Sequence, residues 1–212
     1  MPGLVHRLDK DTSGVMVVAK SREAHRRLAV QFEQHSVTRQ YEALVLGVPS
    51  PSEGCIELAI GPDRGQYKRA STQTYHPKVS VTEYYVEQSF GILAAHVLLT
   101  PRTGRTHQIR AHLQAIGYPI MGDSAYGGAS LCPADRAPVP RVMLHARKLG
   151  FAHPLTEAHY EFRVAAPADF QTLYQVLRLA ASGKEGPVPP PPRTPRFPRI
   201  LSAVHADRQS VD

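Results

Sequence analysis

Residues 81–117 read VTEYYVEQSFGILAAHVLLTPRTGRTHQIRAHLQAIG, and the change of rhythm inside this stretch decides the fold class. Val81 to Glu87 and Ile92 to Thr100 are rich in β-branched, aromatic and apolar residues, and Gly91 lies between them as a turn signal, so they read as two neighbouring strands. Tyr84 and Tyr85 are adjacent and must point to opposite faces of a sheet, so one of the two is expected to be buried. After Pro101 the period becomes helical. Ile109, Leu113 and Ile116 share one face, Thr106 is placed to cap the helix and Gly117 to stop it.

Working outward, strands and helices continue to alternate without an internal repeat. Val15 to Ala19 is a short apolar run expected as a buried strand. Ser21 can cap a helix through Gln34, with Ala24, Leu28 and Phe32 on its buried face. Tyr41 to Val48, Cys55 to Ile60, Val142 to Phe151 and His159 to Val164 read as strands. A last helix, Pro167 to Ala181, is expected to bury Phe170, Leu173, Leu177 and Ala180. Strand pairs dominate and helices interrupt them irregularly, which predicts an α+β fold with a mainly antiparallel sheet. From Gly183 onward the composition changes, with seven of the 19 prolines falling between Pro187 and Pro198. The expected organisation is a globular unit over residues 1–182 and a Pro-rich, disordered tail over 183–212.

Of 212 residues, 42% are hydrophobic and 20% charged, a balance that supports a packed core and excludes a wholly disordered chain. No run approaches the roughly 18 apolar residues of a membrane-spanning helix. Cys55 and Cys132 have neither metal-ligand spacing nor the density of a disulfide scaffold, which fits a reducing, cytoplasmic setting. Lys and Arg exceed Asp and Glu by 25 to 18, a net charge of +7, and 1–182 alone keep +5. Polyanions, nucleic acid first, are the favoured partners. Two stretches without a single acid concentrate this charge: residues 101–122, with Arg102, Arg105 and Arg110, and residues 136–156, with three arginines and Lys148.

Two polar segments carry the signals of a site. The first, GLVHRLDKDTSG (3–14), precedes an apolar run and can hold one carboxylate, Asp9 or Asp11, in a defined position. Asp11 reads better as a turn or cap residue. The second, TGRTHQIRAH (103–112), opens the helix described above and sets Arg110 about 100° round from the core-facing Ile109. His107 and His112 are five apart and project from different faces, which argues against a shared metal. Asp123, in GDSAYGG, reads as a residue bracing a turn.

HRLDKDTSG, RQYEALVLG, TGRTHQIRAHLQAIGYPIMGD with Tyr126-Gly127-Gly128, and LHARKLGFAHP occur together and in this order. As a set they closely resemble the RluA family of pseudouridine synthases, over about residues 2 to 167. The resemblance implies a mixed, mostly antiparallel sheet with flanking helices and a central RNA-binding cleft, with no cofactor and no metal. It also implies isomerisation of uridine in structured RNA, most commonly large-subunit ribosomal RNA. Residue by residue, Asp9 matches the catalytic aspartate and Tyr41 the tyrosine that stacks on the target base and has been assigned a proton-transfer role. Arg110 matches the basic partner of the aspartate. Arg7 matches a residue implicated in filling the space of the flipped nucleotide. Arg102, Arg105, His107, Arg147 and Lys148 are the expected contacts to the RNA backbone. A monomer is expected.

The chemistry asks for these residue types. The uracil must leave its ribose, turn over and rejoin through carbon. A carboxylate can act at the anomeric carbon as a nucleophile or assist proton removal at the ribose. Extruding a nucleotide from a helix costs a few kcal/mol, which a side chain entering the vacated stack can offset. Family members carry sequence upstream of HRLD, including a Lys-Pro-x-Gly strand, so the chain reads as N-terminally shortened. Its catalytic loop is then expected to fray. A catalytically impaired RNA-binding module is the alternative, and RNA hydrolysis using His107 or His6 as acid and base is a third reading.

Overall fold

A computed structural model describes residues 3–65 and 70–183, together with the backbone of 199–201. In chain order the elements are β1 (Gly3–Leu4), β2 (Ser13–Gly14), β3 (Val18–Ala19), α1 (Arg22–Glu33), β4 (Thr38–Leu46), β5 (Glu53–Glu57), β6 (Gly61–Pro62) and β7 (Ala70–Ser71). There follow β8 (Val81–Phe90), β9 (Ala94–Pro101), α2 (Gln108–Ala115), β10 (Leu144–Ala152), β11 (His159–Arg163), α3 (Ala168–Ser182) and β12 (Arg199–Leu201).

The main sheet has the order β11-β10-β4-β9-β8-β5-β12, with β2 also pairing on β10. Every pairing between its long strands is antiparallel; only β2 with β10 and β12 with β5 run parallel. The α+β expectation therefore holds. β8 and β9 form the hairpin, turning at Gly91, whose φ of 59° suits a residue without a Cβ. Ile92 belongs to the turn rather than to the strand and is 88% exposed. Of the two tyrosines, Tyr84 is the buried one.

Most of the core joins the sheet to α2 and α3: Leu44, Val97, Leu99, Leu113, Phe170 and Leu177 belong to one cluster. A smaller cluster seats α1, through Leu28, on Leu149 and Phe151 of β10. Ser21 caps α1 as expected, its Oγ accepting from the Ala24 amide.

Several expectations need correction. Val15 to Ala19 is not a buried strand: Met16 and Val18 are exposed, and only Val18 and Ala19 pair, with β1. The run is half-buried because it lies beside β10 and covers only one side of it. Ala180 is exposed, because the stripe of α3 continues from Leu177 to Ala181, four residues on, and passes Ala180 by. The loop that carries Asp9, expected to fray, is tied down on both sides. Leu4 and Val18 pair below it, while Ser13 and Gly14 pair with His145 and Ala146. The Ser13 hydroxyl and His145 Nδ1 are 2.9 Å apart, and Nε2 of the same ring is 3.0 Å from the Val164 carbonyl. The expected tail lies outside the described residues except at Gly183 and 199–201, where β12 begins directly after Pro198, the last residue in that run without an amide proton.

Candidate active site

Asp9 sits in the turn between β1 and β2, where its carbonyl accepts from the Thr12 amide at 3.1 Å. It opens onto a cleft of about 250 Å³ lined from three directions: by the loop around Arg7 and Asp9, by Arg39 and Tyr41 of β4, and by residues 103–109. Arg110 enters from α2, with Nη1 3.6 Å from Asp9 Oδ2. Tyr41 pairs with Leu99 and Ala146 in the middle of the sheet, so its ring has a rigid base. Burial pushes its phenol pKa up, against the opposing pull of Arg39. Tyr41 therefore keeps its phenolic proton at neutral pH.

Arg110 has a stronger partner than Asp9. Asp123, 1% exposed, takes both Nε at 2.6 Å and Nη2 at 2.8 Å, and the Tyr126 ring lies beneath the guanidinium at 4.8 Å. The expected turn role of Asp123 is also real, since its carbonyl accepts from the Tyr126 and Gly128 amides. Its carboxylate does a second job that the sequence analysis did not assign. A bidentate pair fixes the plane of a guanidinium as well as its position. Nη1 is thereby aimed at Asp9.

Two further residues escaped the sequence reading. Arg39 lines the cleft; its Nη2 donates to the Thr103 carbonyl at 3.2 Å, and its buried Nε has no partner. Its signal was available, because Arg39 stands two residues before Tyr41 and shares its strand face. Gln108 holds the 103–105 loop with a fully engaged amide. Oε1 accepts from the Thr103 hydroxyl and the Arg105 amide, and Nε2 donates to the Val81 carbonyl and Thr82 Oγ1. Thr106 does not cap α2. His107 occupies the cap position in a left-handed conformation, φ 53°, with no capping side chain, and Gln108 organises the turn instead.

The expected RNA contacts divide. Arg7, Arg105 and His107 line the cleft. Arg102 lies outside the lining and is bound bidentately by Glu83. Arg147 and Lys148 also lie outside it, facing Glu87 at 3.9 Å and Glu161 at 3.2 Å. Histidines offered as alternative acid–base groups separate as well. His6 is held to a pKa of about 4 by burial and by Arg39; its Nε2 accepts from the Val17 amide and its ring stacks on Phe32. That lone pair is occupied, so His6 is a structural residue. His6 and His107 both line the cleft, and His112 is buried against Thr82 and the Leu58 carbonyl. Among the described residues no cluster of His, Cys, Asp and Glu could hold a metal ion, and no helix is long and apolar enough to cross a membrane.

A family model described as RNA pseudouridylate synthase matches residues 1–115. The chain is 43% identical over 184 residues to the ribosomal large subunit pseudouridine synthase D of Pseudomonas aeruginosa, covering 83% of this chain and 57% of that protein. It is 42% identical over 166 residues to the dual-specificity RNA pseudouridine synthase RluA of Escherichia coli, covering 78% and 73%. A solved human structure, RNA Pseudouridylate Synthase Domain Containing 1, superposes with a TM-score of 0.68 at 31% identity, over 84% of this chain and 80% of that one. The chain thus spans little more than half the length of the Pseudomonas relative.

Proposed function

The chain belongs to the RNA pseudouridine synthase family, and from that premise we propose that it isomerises uridine to pseudouridine within structured RNA, with large-subunit ribosomal RNA as the substrate class. The observation that carries the proposal is that Asp9 from a loop and Tyr41 from a strand line one cleft while Arg110 reaches Asp9 from a helix at 3.6 Å. The reaction is internally balanced: the N1–C1′ bond breaks, the C5–C1′ bond forms, N1 gains a proton and C5 loses one. No co-reactant is required. Asp9 acts at the ribose, while Arg110, clamped by Asp123, faces it at 3.6 Å and fixes its orientation.

Tyr41 offers a flat face that retains the detached uracil while it turns, and its phenol serves the proton transfers. The target nucleotide is extruded into the cleft, with the exposed Arg7 at the lip to enter the vacated stack and Arg105 to hold phosphate. The substrate class is supported by the large-subunit name of the Pseudomonas relative, and a cytoplasmic setting belongs to the same reading. The same reading takes a monomer as the acting unit.

The decisive experiment uses RNA transcripts tritiated at carbon five of uridine. Isomerisation frees that position for exchange, so tritium enters water with the intact chain and not with Asp9→Ala. Binding without release from any structured RNA sinks the catalytic reading in favour of an RNA-binding module. Strand cleavage in the same tubes sinks it in favour of a hydrolase.

A further inference from the structure

We propose that His107 reads the ribose of the target nucleotide, with its imidazole protonated on Nδ1 and its Nε2 presented to the cleft as acceptor for the 2′-hydroxyl. This deepens the synthase reading and rests on it, adding the residue that separates a ribonucleotide from a deoxyribonucleotide.

The tautomer follows from counting protons. The Tyr126 hydroxyl has one proton and lies 2.8 Å from the carbonyl oxygen of Ala70. A carbonyl can only accept, so the phenolic proton is committed there. The same oxygen accepts from the Ala70 amide at 3.1 Å and stands 2.9 Å from His107 Nδ1. Nδ1 must therefore be the donor in that last contact. Burial lowers the His107 pKa against the opposing charge of Asp9, so the ring carries a single proton at neutral pH. Nε2 keeps its lone pair.

Placement supports the same role. His107 is held at φ 53° and ψ 21°, a conformation disfavoured for a residue with a Cβ and typical of sites where position matters more than backbone comfort. Its ring meets Tyr126 edge to face at 5.7 Å, and Tyr126 in turn supports Arg110. One tyrosine therefore sets both the cation that faces Asp9 and the imidazole beside it.

A uridine inside an RNA chain offers two hydrogen-bond donors, the uracil N3–H and the 2′-hydroxyl, because its 3′ and 5′ oxygens are esterified. Asp9 works at C1′, and C2′ is the next carbon. An acceptor near Asp9 thus meets the 2′-hydroxyl, the group by which proteins distinguish RNA from DNA.

The test uses the full-length chain carrying Asp9→Asn, so that binding is read without turnover. Its probes are a short hairpin RNA with a single loop uridine and the same hairpin bearing 2′-deoxyuridine or 3-methyluridine at that position. The deoxy substitution is expected to weaken binding about tenfold, the worth of one hydrogen bond. Adding His107→Ala should abolish that difference by weakening the uridine hairpin alone. Tyr126→Phe keeps the ring under Arg110 but releases the tautomer, and should give an intermediate difference.

A deoxy effect of unchanged size after His107→Ala overturns the proposal, as does equal binding of the uridine and deoxyuridine hairpins by the parent chain. Selective loss of the 3-methyluridine effect overturns it too, because His107 would then be reading N3–H. If His107→Ala fails to fold, which its thermal melt reports, Tyr126→Phe decides the matter. Absence of tritium release by the intact chain rejects the catalytic reading and leaves this binding result standing by itself.

Discussion

The two acid-free basic stretches look alike in the sequence, and in the fold both meet acids from elsewhere, yet only the first borders the cleft. Residues 101–122 send Arg105 to the cleft lining, while Arg110 is clamped by Asp123 with its remaining nitrogen facing Asp9, and Arg102 is bound by Glu83 of a neighbouring strand. In residues 136–156, Arg136 is exposed, Arg141 is bound bidentately by Asp169, and Arg147 and Lys148 face Glu87 and Glu161. Glu87 is also held by His96, which burial pulls toward neutrality but which Glu42 and Glu87 together keep at a raised pKa. A local run free of acids therefore says little about free positive charge, because strand pairing imports acids from elsewhere in the chain. The first stretch borders the cleft and leads into α2; the second fastens the sheet to its surroundings.

Four experiments break or sharpen this contrast. The largest effect is expected from Asp123→Ala, which leaves a buried Arg110 with only the longer Asp9 contact and should cost about 3–5 kcal/mol. Urea denaturation reads this, and an unchanged midpoint would mean that Asp9 alone satisfies the guanidinium. Next comes acid. Burial lowers His112 to about 4, although the Leu58 carbonyl opposes it, so the ring is neutral when folded. The unfolded chain takes up its proton near pH 6.5. Stability is accordingly whole above 6.5 and is lost as pH falls toward 4, by about 3 kcal/mol at most. His112→Gln should flatten the urea midpoint over that window, with His6 retaining a slope of the same sign.

Arg141→Ala should cost about 1–2 kcal/mol, because its guanidinium also donates to the carbonyls of Asp11, Val142 and Leu144. Its effect should appear in denaturant midpoints and leave the salt dependence of RNA binding untouched. The smallest change concerns that dependence. Arg7→Gln and Arg105→Gln should each reduce the slope of log affinity against log salt by about 0.7–1, whereas Arg147→Gln and Lys148→Gln should not. Equal slopes for all four variants would erase the distinction between the stretches.

The residues themselves show where local pattern sufficed. Leu28 and Ser21 place α1 correctly because helical periodicity and capping are local properties. Thr106 fails as a cap because the loop before α2 is shaped by Gln108 bonding to Val81 and Thr82, contacts between residues far apart in the chain. Val15–Ala19 fails as a buried strand because burial depends on what lies on the other side. Asp123 was legible as a turn residue, since its carbonyl serves its near neighbours, but its carboxylate reaches across to another element.

Chemistry and order along the chain were therefore present in the bare sequence: the motif set, the α+β rhythm, the excess of positive charge, and the residue types from which a synthase site is built. Which arginines remain available to RNA, which carboxylate clamps Arg110, and which nitrogen of His107 bears the proton depended on folding. Those answers turn on distances of a few ångströms between side chains remote in sequence, and periodicity along one strand or helix carries no information about them.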